Sequence, residues 1–186
     1  YLDAELIDKN ISEALYTGIL TDTGSFKFST TSKVHRIVGD LLEKGININN
    51  INKAIYDSNS YDKIKLMGYA LSEKLKLAVG GNVAYIVLSR QDLLDYNFKK
   101  GDTEGLVNYA LSIINVNVAV LIIETKERIK FSFRSSGSFS VNEFARKYFN
   151  GGGHKNAAGG SLEDKLSVAL DKFLESISKY SKDLNY

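Results

Sequence analysis

The run Gly151-Gly152-Gly153-His154-Lys155-Asn156-Ala157-Ala158-Gly159-Gly160 concentrates the chemistry of this chain. Consecutive glycines leave backbone N–H groups uncovered, and with no Cβ in the way a flat or anionic ligand can approach the main chain. Such amides can hold a phosphate or the edge of a base, with the His154 imidazole as donor or stacking partner. The run matches neither the phosphate loop ending in Gly-Lys-Ser/Thr nor the dinucleotide fingerprint Gly-x-Gly-x-x-Gly. A plainer reading stays open. The glycines could form a helix C-cap and turn after Phe149, with His154 a satisfied structural histidine.

Two further groups carry chemistry. Between Ile129 and Arg134 the sequence alternates, with Ile129, Phe131 and Phe133 on one face and Lys130, Ser132 and Arg134 on the other. Arg134 ends this stretch and is followed by Ser135-Ser136-Gly137. A guanidinium fork beside hydroxyls suits phosphate recognition. Lys130 and Arg134 could equally decorate a solvated sheet face. The third group is Asp22, in Thr21-Asp22-Thr23-Gly24, where a carboxylate can point into a cleft. Hard divalent cations want several oxygen ligands, and the remaining acids do not cluster around it. By itself Asp22 reads as an Asx-turn or capping residue. Asp102-Thr103-Glu104-Gly105 is accounted for as a helix cap, with a substrate role for Glu104 or Asn108 as a side reading.

The elements that must position these groups follow from periodicity. Asn10 with Glu13 predicts a cap for a short helix from Ile11 to about Leu15, and glycine-punctuated sequence from Thr17 to Phe26 predicts a loop. Val34, Ile37, Val38, Leu41 and Leu42 predict an amphipathic helix ended by Gly45. A short helix is expected from Ile51 to Tyr56. A longer one carries Ile64, Met67, Leu71, Leu75 and Ala78 and ends at Gly80-Gly81. Val83 to Leu88 and Val118 to Ile123 predict buried strands, and Asp102 to Asn115 a helix between them. Ser140 with Glu143 predicts a capping box for a helix to about Phe149, and Leu162 to Tyr180 a C-terminal helix. A boundary is expected near residues 57–62. Strands alternate with helices after it, which predicts an α/β or α+β domain with a mixed sheet.

Composition excludes several classes. The chain has 186 residues and no cysteine, which removes disulfides and thiolate chemistry and fits a reducing, cytoplasmic setting. No apolar run approaches a membrane span and no signal peptide opens the chain. A formal charge of +2 is too balanced for a nucleic-acid coat but leaves room for a local basic site. The first residue is Tyr1 rather than methionine, so an N-terminal truncation is expected.

Four stretches together resemble a known family. Leu15-Tyr16-Thr17-Gly18-Ile19-Leu20-Thr21-Asp22-Thr23-Gly24-Ser25-Phe26 resembles the fourth motif of DHH-family phosphoesterases. Asp102-Thr103-Glu104-Gly105-Leu106-Val107-Asn108, Phe131-Ser132-Phe133-Arg134-Ser135 and Gly151-Gly152-Gly153-His154 resemble the associated DHHA1 domain. Their order and spacing are similar to the branch of oligoribonucleases and 3′-phosphoadenosine-5′-phosphate phosphatases known as nanoRNases. The resemblance implies residues 1–45 as the end of a DHH catalytic domain, 46–80 as a helical linker and 81–186 as a DHHA1 domain, a mixed sheet flanked by helices. It implies Asp22 as one ligand of a pair of divalent ions, usually manganese. It implies Arg134, with Ser135, as phosphate contacts and Gly151, Gly152, Gly153 and His154 as contacts to a terminal nucleotide. The other three DHH motifs would lie upstream of Tyr1. The chain alone is therefore expected to lack catalysis and to lose the manganese ions. The expected ligands are short oligoribonucleotides or nucleotides, and a homodimer is compatible with the reading. Two alternatives stay open: a non-catalytic nucleic-acid-binding module, and a phosphodiesterase for cyclic or linear dinucleotides.

Overall fold

The computed structural model describes residues 6–28 and 30–184. The chain divides into two compact units between Asn59 and Ser60.

The first unit is built from three helices, α1 (Lys9–Asp22), α2 (Ser32–Glu43) and α3 (Ile48–Tyr56). Each starts at a side-chain cap. Asp8 accepts the Ile11 N–H, Thr31 that of Val34 and Asn47 that of Asn50, relieving amides that the first turn leaves without partners. Tyr16 and Leu20 of α1 bury against Val38 and Leu41 of α2, with Ile48, Ile51 and Ile55 of α3 packed alongside. The loop expected over residues 17–22 is instead the second half of α1, and the cap is Asp8 rather than Asn10. Burial of Tyr16 and Leu20, one turn apart, holds the helix through Gly18. The Thr21 and Thr23 hydroxyls bond back to Thr17 and Ile19 carbonyls at 2.9 and 2.7 Å and stay compatible with it.

The second unit opens with α4 (Tyr61–Tyr69), a π-helical turn (Ala70–Lys74) and strand β1 (Leu75–Ala78). A single long helix to Gly80 was the expectation. Leu75 and Leu77 continue its apolar spacing, yet Leu75 pairs with Ile86 and Ala78 with Val83 in an antiparallel ladder. Strand β2 (Val83–Leu88) is followed by α5 (Arg90–Asp95) and α6 (Leu106–Leu111). These form the crossover needed to reach β3 (Val118–Glu124), which runs parallel to β2. The expected helix over residues 102–115 shrinks to α6. Positive φ values at Gly101 and Gly105 hold the preceding segment in turns, and Asp102 accepts the Lys99 N–H at 2.6 Å. The α5 helix had no periodic signal in six residues. Ser89 and Asp92 close a full capping box at its start.

Strand β4 (Ile129–Ser135) returns antiparallel to β3, and α7 (Val141–Tyr148) follows, capped by Ser140 as expected. The glycine run is not a loop. It folds into two strands, β5 (Gly152–His154) and β6 (Ala157–Leu162), joined at Lys155-Asn156. Helices α8 (Leu166–Ser178) and α9 (Ser181–Leu184) complete the unit. The six strands form one mixed sheet in the order β1-β2-β3-β4-β6-β5.

The sheet has a core on each face. On one, Val83, Val120, Ile122, Phe131 and Phe133 pack against Phe144 and Phe149 from α7 and its end, and Phe173 and Ile177 of α8. On the other, Ala84, Ile86, Ala119 and Leu121 lie under Leu66, Leu106, Val107 and Ala110 from α4 and α6. Each fully buried aliphatic or aromatic side chain contributes roughly 1.5–3 kcal/mol. The two cores therefore fix the strand register that aligns the candidate site.

Candidate functional site

Register places the alternating strand and the glycine run side by side. Across β4 and β6, Arg134 faces Ala157, Ser132 faces Gly159 and Lys130 faces Ser161. Across β5 and β6, His154 faces Ala157 and Gly152 faces Gly159. His154 and Arg134 thus sit in one row, two strands apart, with about 10 Å between their backbones. On this face the apolar cover extends over β2 and β3 and includes no residue of β4 or β6. What remains is a strip floored by Ala157 and Gly159 and bordered by polar side chains.

Those side chains are free to serve a ligand. The side chains of Lys130, Ser132, Ser161 and His154 make no hydrogen bond or ion pair with a described residue. Arg134 is half-buried, and its Nη1 donates to its neighbour's carbonyl, Phe133 O, at 3.0 Å. No carboxylate pairs with it, since the ion pairs among the described residues involve Lys74, Arg128 and Lys179. Burial without a counter-charge lowers its pKa from the ordinary arginine value. A partly desolvated, unpaired guanidinium is costly, and an anion brought to it would offset that cost.

Packing explains only part of the glycine run. A Cβ at Gly151 would lie 2.0 Å from Gly159 O, one at Gly153 2.4 Å from Ala157 O, and one at Gly160 2.8 Å from Phe149 Cβ. Those three positions need glycine because the hairpin strands and Phe149 come too close. Gly152 and Gly159 differ. Their nearest obstacles are 3.5 and 3.6 Å away, ordinary van der Waals distance. A methyl group at Gly152 would face Arg146 and Asn142 of α7 and one at Gly159 the strip, and neither meets a steric bar among the described residues.

Two sequence-predicted residues find other places. Ser135 points to the opposite, buried face. Its hydroxyl donates to Phe139 O at 2.8 Å and accepts from Asn156 Nδ2 at 2.9 Å, which pins the Lys155-Asn156 turn. It is 6% exposed and structural, so the expected phosphate contact at Ser135 is corrected to the fold. Asp22 is the last residue of α1, exposed, and belongs to the first unit. Among the described residues no three His, Asp or Glu side chains gather to hold a metal ion, so the residues present do not make a metal centre.

The structure adds residues that periodicity did not single out. Asn142 Oδ1 accepts the Gly153 N–H at 2.9 Å, and Arg146 Nε donates to the same oxygen at 3.1 Å. Their i, i+4 spacing on α7 was visible, but not that this face of the helix meets the glycine strand. A concavity of about 780 Å³ beside α7 is lined by Phe139, Ser140, Asn142, Lys147 and Tyr180. Of its two lysines, Lys147 lies over the Tyr148 and Tyr180 rings, at 5.1 and 5.9 Å, and Lys155 is exposed. The strip keeps its donors free and is the better site.

Residues 80–183 match the DHHA1 domain. The chain belongs to the DHHA1 family. It is 32% identical over 170 residues to the bifunctional oligoribonuclease and PAP phosphatase NrnA of Thermus thermophilus, covering 90% of this chain and 50% of that protein. It is 29% identical over 157 residues to the protein of the same description from Bacillus subtilis, covering 84% of this chain and 49% of that one. Among solved structures it is similar to an exopolyphosphatase-related protein of Bacteroides fragilis, with 39% identity and a TM-score of 0.91, over 97% of this chain and 53% of that one. The chain spans about half the length of the curated relatives it matches. The DHHA1 match contains β2 to β6, hence the whole strip.

Proposed function

We propose that this chain is the substrate-binding part of a phosphoesterase that hydrolyses short oligoribonucleotides, 3′-phosphoadenosine-5′-phosphate, or both. The observation that carries the reading is Arg134, half-buried with no acidic partner among the described residues, bordering a strip with Gly159 and free donors. Arg134 takes a phosphate of the terminal nucleotide. The Ala157–Gly159 floor admits the ribose or base at close range, and His154 donates to it or stacks on it. Metal ions, manganese by resemblance, would act in the complete protein. Asp22 is the ligand this chain offers, and the others would come from outside it. The setting proposed is the cytoplasm. A strip lacking a row of aromatic side chains favours capture of an end over binding of a long single strand.

The test is a panel of dinucleotides, longer oligoribonucleotides and 3′-phosphoadenosine-5′-phosphate on the full-length protein with manganese, for wild type and Arg134→Ala. Turnover of short substrates with KM raised about 10- to 100-fold in the variant is the expected result, the worth of a charge-assisted contact. An unchanged KM returns Arg134 to a solvated sheet face. Binding without any turnover by the full-length protein would favour a non-catalytic nucleic-acid module instead.

A further inference from the structure

A cavity of about 460 Å³ opens where β1 and β2 meet the first turns of α8, on the face of the sheet opposite the Arg134 row. Its size is ordinary for a small-molecule site. Val87, Leu166 and Leu170 supply apolar walls. Tyr69, Lys74 and Ser89 also line it, but their polar groups are taken up by Asp92. Three polar side chains remain, Tyr85, Lys76 and Glu73. Tyr85 is only 8% exposed, its ring packs edge-on against Phe173, and its hydroxyl has no hydrogen-bond partner among the described residues. A tyrosine buried to this depth ordinarily satisfies its hydroxyl. The oxygen is not sealed into the core either, so it opens to the cavity. Lys76 stands directly opposite Tyr85 across the β1–β2 ladder, which sets the two side chains beside each other on one face. Neither Lys76 nor Glu73 makes an ion pair or side-chain hydrogen bond with a described residue.

The cavity therefore offers a phenol and an ammonium together, a carboxylate too far from them to pair, and an aliphatic wall. A plain anion would meet Glu73, and a plain cation would meet Lys76. A molecule carrying both charges on an apolar body satisfies every free group. We propose that this cavity binds a free amino acid with an apolar side chain. Its carboxylate takes the Lys76 ammonium and the Tyr85 hydroxyl, its ammonium faces Glu73, and its side chain lies against Val87, Leu166 and Leu170. Partial enclosure between strand and helix strengthens both charge pairs relative to open water. The site stands independently of the strip on the other face.

Isothermal titration of this chain with L-leucine and L-phenylalanine tests it, beside the N-acetyl and amide derivatives of each. Wild type should bind at least one of the free amino acids saturably. Acetylation removes the ammonium and amidation the carboxylate, and each should weaken binding about 10-fold. Tyr85→Phe, which keeps the ring, should weaken the free amino acid about 5-fold without lowering the melting temperature of the unliganded protein. Glu73→Gln should remove the preference for the free amino acid over its N-acetyl form, and Lys76→Met the preference over its amide. Absence of saturable binding by wild type overturns the proposal. So does binding that Tyr85→Phe leaves unchanged, or a preference over the derivatives that is missing in wild type or survives intact in the Glu73 and Lys76 variants.

Discussion

At the scale of single residues, the glycine run divides by cause. Gly151, Gly153 and Gly160 are held by close backbone or side-chain approach, whereas Gly152 and Gly159 have room for a methyl group. Gly151→Ala should therefore lower stability by about 2–3 kcal/mol, since the hairpin must shift to admit it. Gly159→Ala should change stability by less than about 1 kcal/mol and still weaken nucleotide binding. Thermal melts and titrations of both variants check this. Stability losses that are equal, or binding by Gly159→Ala equal to wild type, would count against a ligand over Gly159. Composition revealed the glycines but could not sort them, because a steric reason exists only once strands are paired. Ser135 shows the same limit. Its place after Arg134 was plain, but the alternation that exposes Arg134 turns Ser135 into the core.

At the scale of elements, the strands β2, β3 and β4 were legible, because a buried strand is a continuous apolar run and a half-buried one alternates. Strand β1 was not. Its leucines extend the spacing of α4, and pairing with β2 overrides that pattern. The change of element passes through the π-turn, and Lys74 at its end lies over the Tyr69 ring at 5.2 Å. Both reach one carboxylate: Tyr69 Oη donates to Asp92 Oδ1 at 2.6 Å, and Lys74 Nζ lies 3.0 Å from the same oxygen. Ser89 supplies its N–H and hydroxyl to Oδ2 at 2.7 and 2.6 Å. Burial raises the Asp92 pKa, but the hydrogen bonds from Ser89, Tyr69 and Lys74 outweigh it and bring it to about 2. A carboxyl depressed on folding stabilises above its unfolded value of about 4, and that contribution is lost as pH falls toward about 2. Asp92→Asn should cost about 2 kcal/mol at pH 7 and about half as much at pH 3. Urea unfolding of both proteins at the two pH values measures it, and an equal loss at both would mean the charge does not hold the turn.

At the scale of the whole molecule, binding and chemistry separate. The strip is complete within the second unit, while the described residues gather no metal-ligating cluster. This chain by itself should bind a short oligonucleotide but show no manganese-dependent hydrolysis of it. Robust turnover of a dinucleotide by this chain would place the catalytic groups within it after all. The sequence by itself determined the mixed α/β class, the buried strands, the family resemblance and the residue types at the site, because periodicity and local motifs are properties of neighbours along the chain. Only the tertiary structure decided that the glycine run is an edge hairpin, that Arg134 is left without a counter-charge and that Ser135 is structural. It also brought Asn142 and Arg146 to the glycine strand. Each of these depends on strand register and helix docking, which join residues far apart in sequence through burial and hydrogen bonding that no local window contains.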